Sequence, residues 1–334
     1  MASKNFILLI LFLAVLGFSC KRKVKETGGE RPATEPVVQV IIPEFNADSA
    51  LAFVKAQTDF GPRVPGSKAH ADCANYLKNT LLKYSPDVKV QEFKARIYNG
   101  NVLSGKNIIA SFQPQKKARI VLCAHWDSRP YGDHDPDPAK HDKPIDGAND
   151  GASGVGVLLE VARLLANTQT NIGIDIIFFD LEDYGPPQDS QVEGNENWGL
   201  GSQYWSKNPH VPAYFARYCI LLDMVGAPNA RFLQEGFSMY YAPDIVSKVW
   251  NIAQNLGYHN YFVSERGSYI NDDHYFVNIL AKIPAIDIIH LDPNSSNGTF
   301  FEYWHTAGDT FDKIDKTTLG VVGDVVVNTI YKEK

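Results

Sequence analysis

Short apolar segments recur along the chain from residue 88 onward and predict the strands of a β-sheet. Most are near-continuous runs of Val, Ile, Leu and Phe, which is typical of strands covered on both faces. The first segment instead alternates apolar and polar positions, with one interruption at Gln91-Glu92, and is expected to be half-exposed. The predicted strands are Val88–Ile97, Asn107–Phe112, Arg119–Ala124, Ile174–Phe179, Tyr218–Val225 and Ala285–Ile289.

Segments with helical spacing separate these strands. In the segment Val155–Ala166 the apolar residues form one stripe, as they do on the buried side of a helix. Helices are likewise predicted over Ala69–Tyr84, Pro243–Leu256 and Lys316–Tyr331. Strands that alternate with helices predict an α/β fold with helices on both faces of a central sheet. No linker rich in Pro, Gly or Ser divides residues 44–334, so this part is predicted to be one domain.

The N-terminal residues have the pattern of an export signal. Phe6–Phe18 is an apolar run of thirteen residues, shorter than the roughly 20 residues that span a bilayer. Ser19-Cys20 resembles a bacterial lipoprotein cleavage site, which would make Cys20 the lipidated first residue of the mature chain. Plain secretion and an uncleaved anchor are the alternatives.

We therefore expect an export signal over residues 1–19, a charged, Pro-containing tether over residues 20–43 and a catalytic domain over residues 44–334. The expected location is the periplasm, with the protein anchored as a lipoprotein. Contact with a membrane is expected only through the N-terminal lipid or signal segment.

Composition and charge narrow the class of protein. The chain has 334 residues, 44% of them hydrophobic, and a net charge of −6, which excludes a disordered protein. Its longest basic run is Lys21-Arg22-Lys23, so we expect no nucleic-acid partner. Cys123 and Cys219 lie in apolar strand-like segments, where a free thiol packs as a small hydrophobe. A globular enzyme or binding protein remains.

Several predicted strands run directly into acidic residues or histidine. In α/β folds the reacting groups collect at the carboxyl ends of the strands, so these side chains are expected to converge. The candidates there and in the neighbouring loops are His125, Asp127, Asp146, Asp150, Asp180, Glu182, Asp183, Asp223, Asp272, Asp273, His274, His290 and His305.

Such a cluster points to a metal site. Crowded carboxylates must be protonated or share a cation, and a mixture of Asp, Glu and His suits zinc. Side chains of neighbouring residues diverge at a strand end, so one of Glu182 and Asp183 can bind the metal while the other acts as general base. A solvated turn is the alternative for this pair. Gly151-Ala-Ser153-Gly154-Val155 has neither a nucleophile elbow nor a GxGxxG pattern, which argues against a serine hydrolase or a dinucleotide-binding protein.

Taken together, these motifs resemble the zinc aminopeptidase and glutaminyl cyclase superfamily. The resemblance implies a single α/β domain with a mixed, mostly parallel central sheet. The matching segments are Phe60-Gly-Pro-Arg-Val-Pro-Gly-Ser67, Ala124-His-Trp-Asp-Ser128, Gly147-Ala-Asn-Asp-Gly-Ala152, Phe178-Phe-Asp-Leu-Glu-Asp183, Asp272-Asp-His274 and Trp304-His-Thr-Ala-Gly-Asp-Thr310.

The resemblance also implies roles. Asp150, Asp183 and His305 match the three protein ligands of a zinc ion, and Glu182 matches the general acid/base. In peptidase members, the residues that match His125 and Asp223 hold a second zinc, with Asp150 bridging. In cyclase members the same residues form hydrogen bonds beside a single metal, and the residues that match Asp223 and Asp272 form a carboxyl pair.

Four segments favour the cyclase branch: Leu221-Leu-Asp-Met-Val-Gly-Ala-Pro-Asn229, Pro187-Gln-Asp-Ser190, Tyr269-Ile-Asn-Asp-Asp-His274 and Trp304 before His305. The expected reaction is therefore cyclisation of an N-terminal glutamine of a peptide or protein to pyroglutamate, with one zinc ion. A two-zinc aminopeptidase and an inactive binding protein are the alternatives.

The cyclase resemblance implies an aromatic pocket for the glutamine side chain. Trp304 and Phe300 are expected to wall it, with Asn271 near the substrate backbone. Animal cyclases carry a tryptophan just before the Pro-Gln-Asp-Ser segment, where this chain has Tyr184-Gly185-Pro186. Trp198 is the candidate to supply the missing indole, with plain packing as the alternative. Animal cyclases also have Glu at the position of Asp183.

Overall fold

The structure is a computed structural model that describes residues 41–334 of the chain. Its strands are β1 (Asp87–Arg96), β2 (Val102–Phe112), β3 (Arg119–His125), β4 (Gly173–Phe179), β5 (Cys219–Asp223), β6 (Phe232–Gln234), β7 (Phe262–Arg266) and β8 (Ala285–Ile289). Its α-helices are α1 (Ala47–Thr58), α2 (Lys68–Leu82), α3 (Ala152–Asn167), α4 (Leu200–Lys207), α5 (Gly236–Tyr241), α6 (Pro243–Asn255), α7 (Asp273–Phe276) and α8 (Lys316–Lys332).

A six-stranded sheet in the order β1-β2-β4-β3-β5-β8 forms the centre of the molecule. β4, β3, β5 and β8 are parallel, whereas β2 pairs antiparallel with both β1 and β4. β6 and β7 form a separate parallel pair. The fold class is therefore the predicted one, an α/β domain with a mixed, mostly parallel sheet.

Both faces of the sheet are covered, as the continuous apolar segments predict. Ile120, Leu122 and Ala124 of β3 face a large cluster that includes α1, α3 and α8. Val121 and Cys123 face the opposite cluster, which contains Trp205 of α4. β1 is an edge strand in which only Phe93 is fully buried, so its predicted half-exposure is also confirmed.

The element boundaries differ from the predicted ones where local geometry intervenes. The strand predicted over Tyr218–Val225 ends at Asp223, because Met224 has a positive φ of 50°. Helix α3 begins at Ala152 rather than Val155. The sequence does not predict helix α1, because the helix buries only Ala50, Val54 and Gln57 and the periodicity of its apolar residues is weak.

Some predictions about the termini lie outside the described residues. These are the export signal, lipidation of Cys20 and the tether up to residue 40. Within residues 41–334, no helix is both long and apolar enough to cross a bilayer. The three cysteines in this part, Cys73, Cys123 and Cys219, are buried and unbridged, as expected for packed thiols.

Candidate active site

The residues expected to bind zinc lie together at the carboxyl edge of the parallel strands. Asp183 follows β4, Asp150 precedes α3, and His305 lies in the loop between β8 and α8. His305 Nε2 is 3.1 Å from Asp183 Oδ1 and 3.7 Å from Asp150 Oδ2. One ligand atom from each of the three residues lies within 4.8 Å of the others. The structure therefore brings the predicted metal ligands into one site.

The chemistry of this trio fits zinc. All three side chains are buried, and Asp183 Oδ2 has no hydrogen-bond partner. Burial lowers the pKa of His305 well below its usual value, which favours the neutral imidazole that binds metals. Two carboxylates and one imidazole match a catalytic zinc site, in which a fourth position stays open for substrate.

A second trio, His125, Asp150 and Asp223, shares Asp150 with the first. His125 and Asp223 end β3 and β5, and His125 Nε2 is 2.9 Å from Asp150 Oδ1 and 3.2 Å from Asp223 Oδ1. Burial lowers the pKa of His125, but its hydrogen bonds to Asp127, Asp150 and Asp223 raise it well above the usual value. A Cβ at position 151 would lie 2.4 Å from His125 Nε2, so only glycine admits the imidazole here.

Glu182 lies beside the metal ligands in the same pocket. Burial raises the pKa of Glu182 well above its usual value, and the nearby charge of Asp272 raises it further. A carboxyl group with a raised pKa in a cleft suits a general acid/base. Asp183 is turned toward His305, whereas Glu182 is close enough to Asp272 for its charge to act on it; which of the two binds metal and which acts as base stays a prediction.

Two buried aspartates position these groups through the backbone. The Asp127 carboxylate accepts hydrogen bonds from the backbone N–H groups of Glu182 (3.2 Å) and Asp183 (3.3 Å). Asp309 does the same for Asn149 (2.8 Å) and Asp150 (3.1 Å). Sequence reasoning gave neither residue a role, although both lie within the quoted motifs.

Arg129 is a further positioning group that the sequence did not reveal. Its guanidinium is buried and forms a bidentate pair with Asp133, at 2.8 and 2.6 Å. It also donates to the carbonyl oxygens of Asp183 and Pro186, both at 3.1 Å, and lies 5.0 Å from the centre of the Trp198 ring. Arg129 therefore links a metal ligand to the wall of the pocket. The only sequence signal is its place directly after the motif that ends at Ser128.

Aromatic side chains wall the pocket beside the predicted metal ligands, where the cavity has a volume of about 60 Å³. Trp304 stacks on His305 with ring centres 3.8 Å apart, and Phe300 packs against Trp304 at 4.5 Å. Trp198 and Asn271 complete the wall, and Asn271 Nδ2 donates to the carbonyl oxygen of Asn195 at 3.2 Å. The structure thus brings all four predicted substrate-binding residues to the pocket.

Trp198 reaches the pocket because position 185 is a glycine. Its indole lies nearly parallel to the His305 ring, with centres 6.3 Å apart. A Cβ on residue 185 would lie only 2.3 Å from Trp198 Cε2. The structure therefore places an indole from a later loop beside the Tyr184-Gly185-Pro186 segment, and its role in substrate binding stays a prediction.

Asp272 lies in the pocket with a buried acidic neighbour. Ligand atoms of Asp272, His274 and Asp287 are within 4.8 Å of one another, and both carboxylate oxygens of Asp287 lack hydrogen-bond partners. Burial raises the pKa of Asp272, and burial also raises the pKa of Asp223, to about 7. The proton-sharing pair of Asp223 and Asp272 stays a prediction.

Asp287 was not among the candidates predicted from the sequence, although an acidic residue inside the apolar segment Ala285–Ile289 is a signal in itself. His290, which also follows a strand, does not line the pocket.

Comparison with known proteins identifies the family of this site. Residues 107–330 match peptidase family M28, and this range contains every metal ligand, the candidate base and the aromatic wall. The chain belongs to peptidase family M28.

Similar proteins within this family include cyclases and exopeptidases. The glutaminyl cyclase of Bacteroides thetaiotaomicron, whose crystal structure contains N-acetylhistamine, is 52% identical with a TM-score of 0.86, over 88% of this chain and all of that one. A Zn-dependent exopeptidase from Parabacteroides distasonis is 50% identical with a TM-score of 0.86, over 88% of this chain and all of that one. The glutaminyl-peptide cyclotransferase of Bos taurus is 26% identical over 79% of this chain and 77% of its own. The family and these relatives make zinc the metal of the site.

Proposed function

We propose that this chain is a glutaminyl-peptide cyclotransferase, which converts an N-terminal glutamine of peptides and proteins to pyroglutamate and releases ammonia. The observation that carries the proposal is the position of Glu182, beside the trio of Asp150, Asp183 and His305 at the base of an aromatic pocket. The 52% identity to a glutaminyl cyclase over that protein's whole length supports it.

The pocket suits one glutamine side chain bent back on its own amine. Trp198, Phe300 and Trp304 offer flat apolar walls, and acidic side chains and His305 share the lining with them. Confinement of the α-amine against the γ-carbonyl carbon converts the attack into a proximity-assisted step within one molecule. A pocket of this size leaves the rest of the polypeptide outside, so we expect tolerance of many following residues.

Proton transfer is assigned to Glu182. Asp150, Asp183 and His305 would hold a zinc ion, which would supply a Lewis acid for the γ-carbonyl oxygen. Glu182 takes a proton from the attacking α-amine and returns it to the departing amide nitrogen. One C–N bond forms as another breaks, and ammonia leaves without a water molecule being consumed. Asp223 and Asp272 hold the leaving amide.

We propose one zinc ion per chain. His125 Nε2 already contacts both Asp150 and Asp223, the other members of the second trio, at 2.9 and 3.2 Å. The test measures zinc content and cyclisation of a glutamine-initiated peptide before and after chelation. We expect about one zinc per chain and activity restored by about one equivalent. Undiminished cyclisation by the fully zinc-free protein would contradict the proposal.

The second candidate is a two-zinc aminopeptidase. The observation that favours it is Asp150, which belongs to both trios and could therefore serve as a ligand at each of them. In that case Glu182 would activate a water molecule rather than an amine. Two zinc ions per chain with release of free amino acids would support this reading.

We also propose that the protein is exported and that Cys20 is lipidated. The support is the apolar run Phe6–Phe18 followed by Ser19-Cys20. In a bacterial host grown with labelled palmitate, we expect label in the wild-type chain and none in Cys20→Ser. Equal labelling of the two chains would refute the lipid assignment.

A further inference from the structure

Five aromatic residues, three exposed and two half-buried, form a surface that adjoins the pocket lining through residues 269–271. This aromatic surface consists of Phe237, Tyr240, Tyr241, Tyr269 and Tyr275. Tyr240 and Tyr269 are 70% and 64% exposed, and Tyr241 is 37% exposed. A contiguous exposed patch of large apolar side chains commonly marks an interaction site, whereas single exposed apolar side chains are normal on protein surfaces.

The rings of the aromatic surface are continuous. Phe237 lies at the centre, with its ring 5.0 Å from that of Tyr269, 4.6 Å from that of Tyr275 and 6.3 Å from that of Tyr241. Tyr240 extends the row through an edge contact with Tyr241 at 4.8 Å. The rings therefore form one patch that combines apolar faces with phenolic hydroxyl groups.

One buried side chain fixes both this patch and the pocket wall. Glu235 accepts hydrogen bonds from the first N–H groups of α5, at 2.8 Å from Phe237 and 2.6 Å from Ser238. It also accepts from the N–H of Ile270 at 2.9 Å and pairs with His274 at 2.9 Å. Ile270 and the next residue, Asn271, line the pocket. Glu235 therefore links the helix that carries part of the aromatic surface to a segment that lines the pocket.

Tyr269 is held in position although it is exposed. Its ring lies on the backbone of Gly236, where a Cβ would be 2.6 Å from Tyr269 Cγ. The Gly236 N–H also donates to the carbonyl oxygen of Ser268 at 2.8 Å. An exposed ring fixed before binding loses little conformational entropy when a ligand covers it.

We propose that the aromatic surface binds the residues that follow the N-terminal glutamine of a substrate polypeptide, with a preference for aromatic and apolar side chains. This inference rests on the proposed function. The pocket holds one side chain, so the following residues must leave it across the rim. Tyr269 directly precedes the pocket residues Ile270 and Asn271, so the aromatic surface begins one residue along the chain from the pocket lining. Tyrosine rings recognise extended chains through both packing and hydrogen bonding.

The test compares three glutamine-initiated substrates with wild-type protein and the double variant Tyr240→Ser/Tyr269→Ser. The substrates are a dipeptide, a heptapeptide with three phenylalanines after the second residue, and a matched heptapeptide with serines at those positions. We expect the variant to lose about fivefold to tenfold in kcat/KM on the phenylalanine peptide, through KM, because two aromatic contacts are removed. Activity on the dipeptide and the serine peptide should be unchanged.

Phe215→Ser is the matched control. Phe215 is 67% exposed, like Tyr240 and Tyr269 of the aromatic surface. It precedes β5 and so lies at the amino ends of the parallel strands, whereas the pocket lies at their carboxyl ends. It should leave all three substrates unaffected. Equal kcat/KM for wild-type and double variant on the phenylalanine peptide would overturn the inference. The inference would also be overturned if the double variant lost as much kcat/KM on the dipeptide as on the phenylalanine peptide. The same holds if the double variant changed only self-association or binding to vesicles. Absence of dipeptide cyclisation by the wild-type protein would instead refute the proposed function.

Discussion

Glu182 and Asp183 show how two neighbouring carboxylates acquire different tasks. Both are buried and both have a raised pKa, yet Asp183 Oδ1 lies 3.1 Å from the ligand His305 while Glu182 lies beside Asp272. Asp127 fixes the backbone of both residues, so the two side chains diverge from one rigid turn.

Glu182→Gln should abolish turnover and leave zinc bound. The amide keeps the size of the side chain but cannot accept the amine proton, so we expect kcat to fall by about 10²- to 10⁴-fold. The measurements are kcat with a glutamine-initiated peptide and zinc content by elemental analysis. Loss of zinc in this variant would mean that the roles of Glu182 and Asp183 are exchanged.

Gly185→Ala should act through Trp198. The added Cβ would clash with the indole at 2.3 Å, so the wall of the pocket must move. We expect KM to rise by about tenfold, as it should in Trp198→Ala. Kinetics of the single variants and the double variant test this. If the KM increase in the double variant were the product of the increases in the two single variants, the coupling would be contradicted. Free-energy effects of two residues that act through one contact do not add.

The residue types predicted a cluster of acidic and histidine side chains, but not its supporting contacts. The roles of Asp150, Asp183, His305 and Glu182 within that cluster followed only from the family resemblance, because many other Asp, Glu and His residues stood beside them as candidates. Arg129 could not be predicted, because its role depends on which chain segments meet, whereas Asp287 was missed although its place inside an apolar segment is a signal. Arg129 reaches Asp183 and Pro186, more than fifty residues away in sequence.

At the scale of secondary structure, short loops after the strands carry the chemistry. Asp309, in the loop before α8, holds the loop before α3 by accepting from the N–H groups of Asn149 and Asp150. Asp309→Ala would leave both buried donors unpaired, at roughly 1–3 kcal/mol each. We expect weaker zinc binding and lower stability in urea unfolding. Asp309→Asn retains an acceptor, so it should lose less zinc affinity and less stability than Asp309→Ala. Equal losses in the two variants would exclude this positioning role.

Glu235 provides a pH-dependent link between α5, the Ile270 loop and α7. Burial raises the pKa of Glu235, but the charge of His274 and hydrogen bonds from His274, Ile270 and Ser238 lower it to about 2. Because the folded pKa lies below the ordinary value of 4.5, the ionised carboxylate stabilises the fold above pH 4.5. That stabilisation is lost as pH falls from 4.5 toward 2.

Glu235→Gln should therefore reduce the free energy of unfolding by about 3 kcal/mol at neutral pH. The deficit relative to wild type should shrink by about pH 3, where the unfolded carboxyl is protonated. Urea unfolding of the zinc-free proteins at both pH values measures this. An equal deficit at both would contradict the assigned pKa.

The fold itself was largely predictable at this scale. Segments buried on both faces, such as Ile174–Phe179, carry an apolar signal at nearly every position, with Asp175 as the exception in this strand. Helix α1 carries little signal because few of its residues are buried. The antiparallel pairing of β2 with β4 could not be foreseen, because strand order depends on contacts distant in sequence.

At the scale of the whole molecule, several of the acidic residues that give the chain its negative charge lie together at one site. A chain of net charge −6 concentrates Asp150, Glu182, Asp183, Asp223 and Asp272 at one pocket. Such a cluster is stable only when cations or protons offset the repulsion. The aromatic wall then converts a metal-binding edge into a pocket for one side chain.

The central claim is that this site cyclises glutamine rather than removing N-terminal residues. The most direct measurement incubates the zinc-loaded protein in parallel with a glutamine-initiated and a leucine-initiated peptide of otherwise identical sequence. Ammonia and the products are followed by enzymatic assay and mass spectrometry. The account predicts ammonia and a pyroglutamyl peptide from the first substrate and no reaction with the second. Release of free leucine, without ammonia from the glutamine peptide, would contradict it.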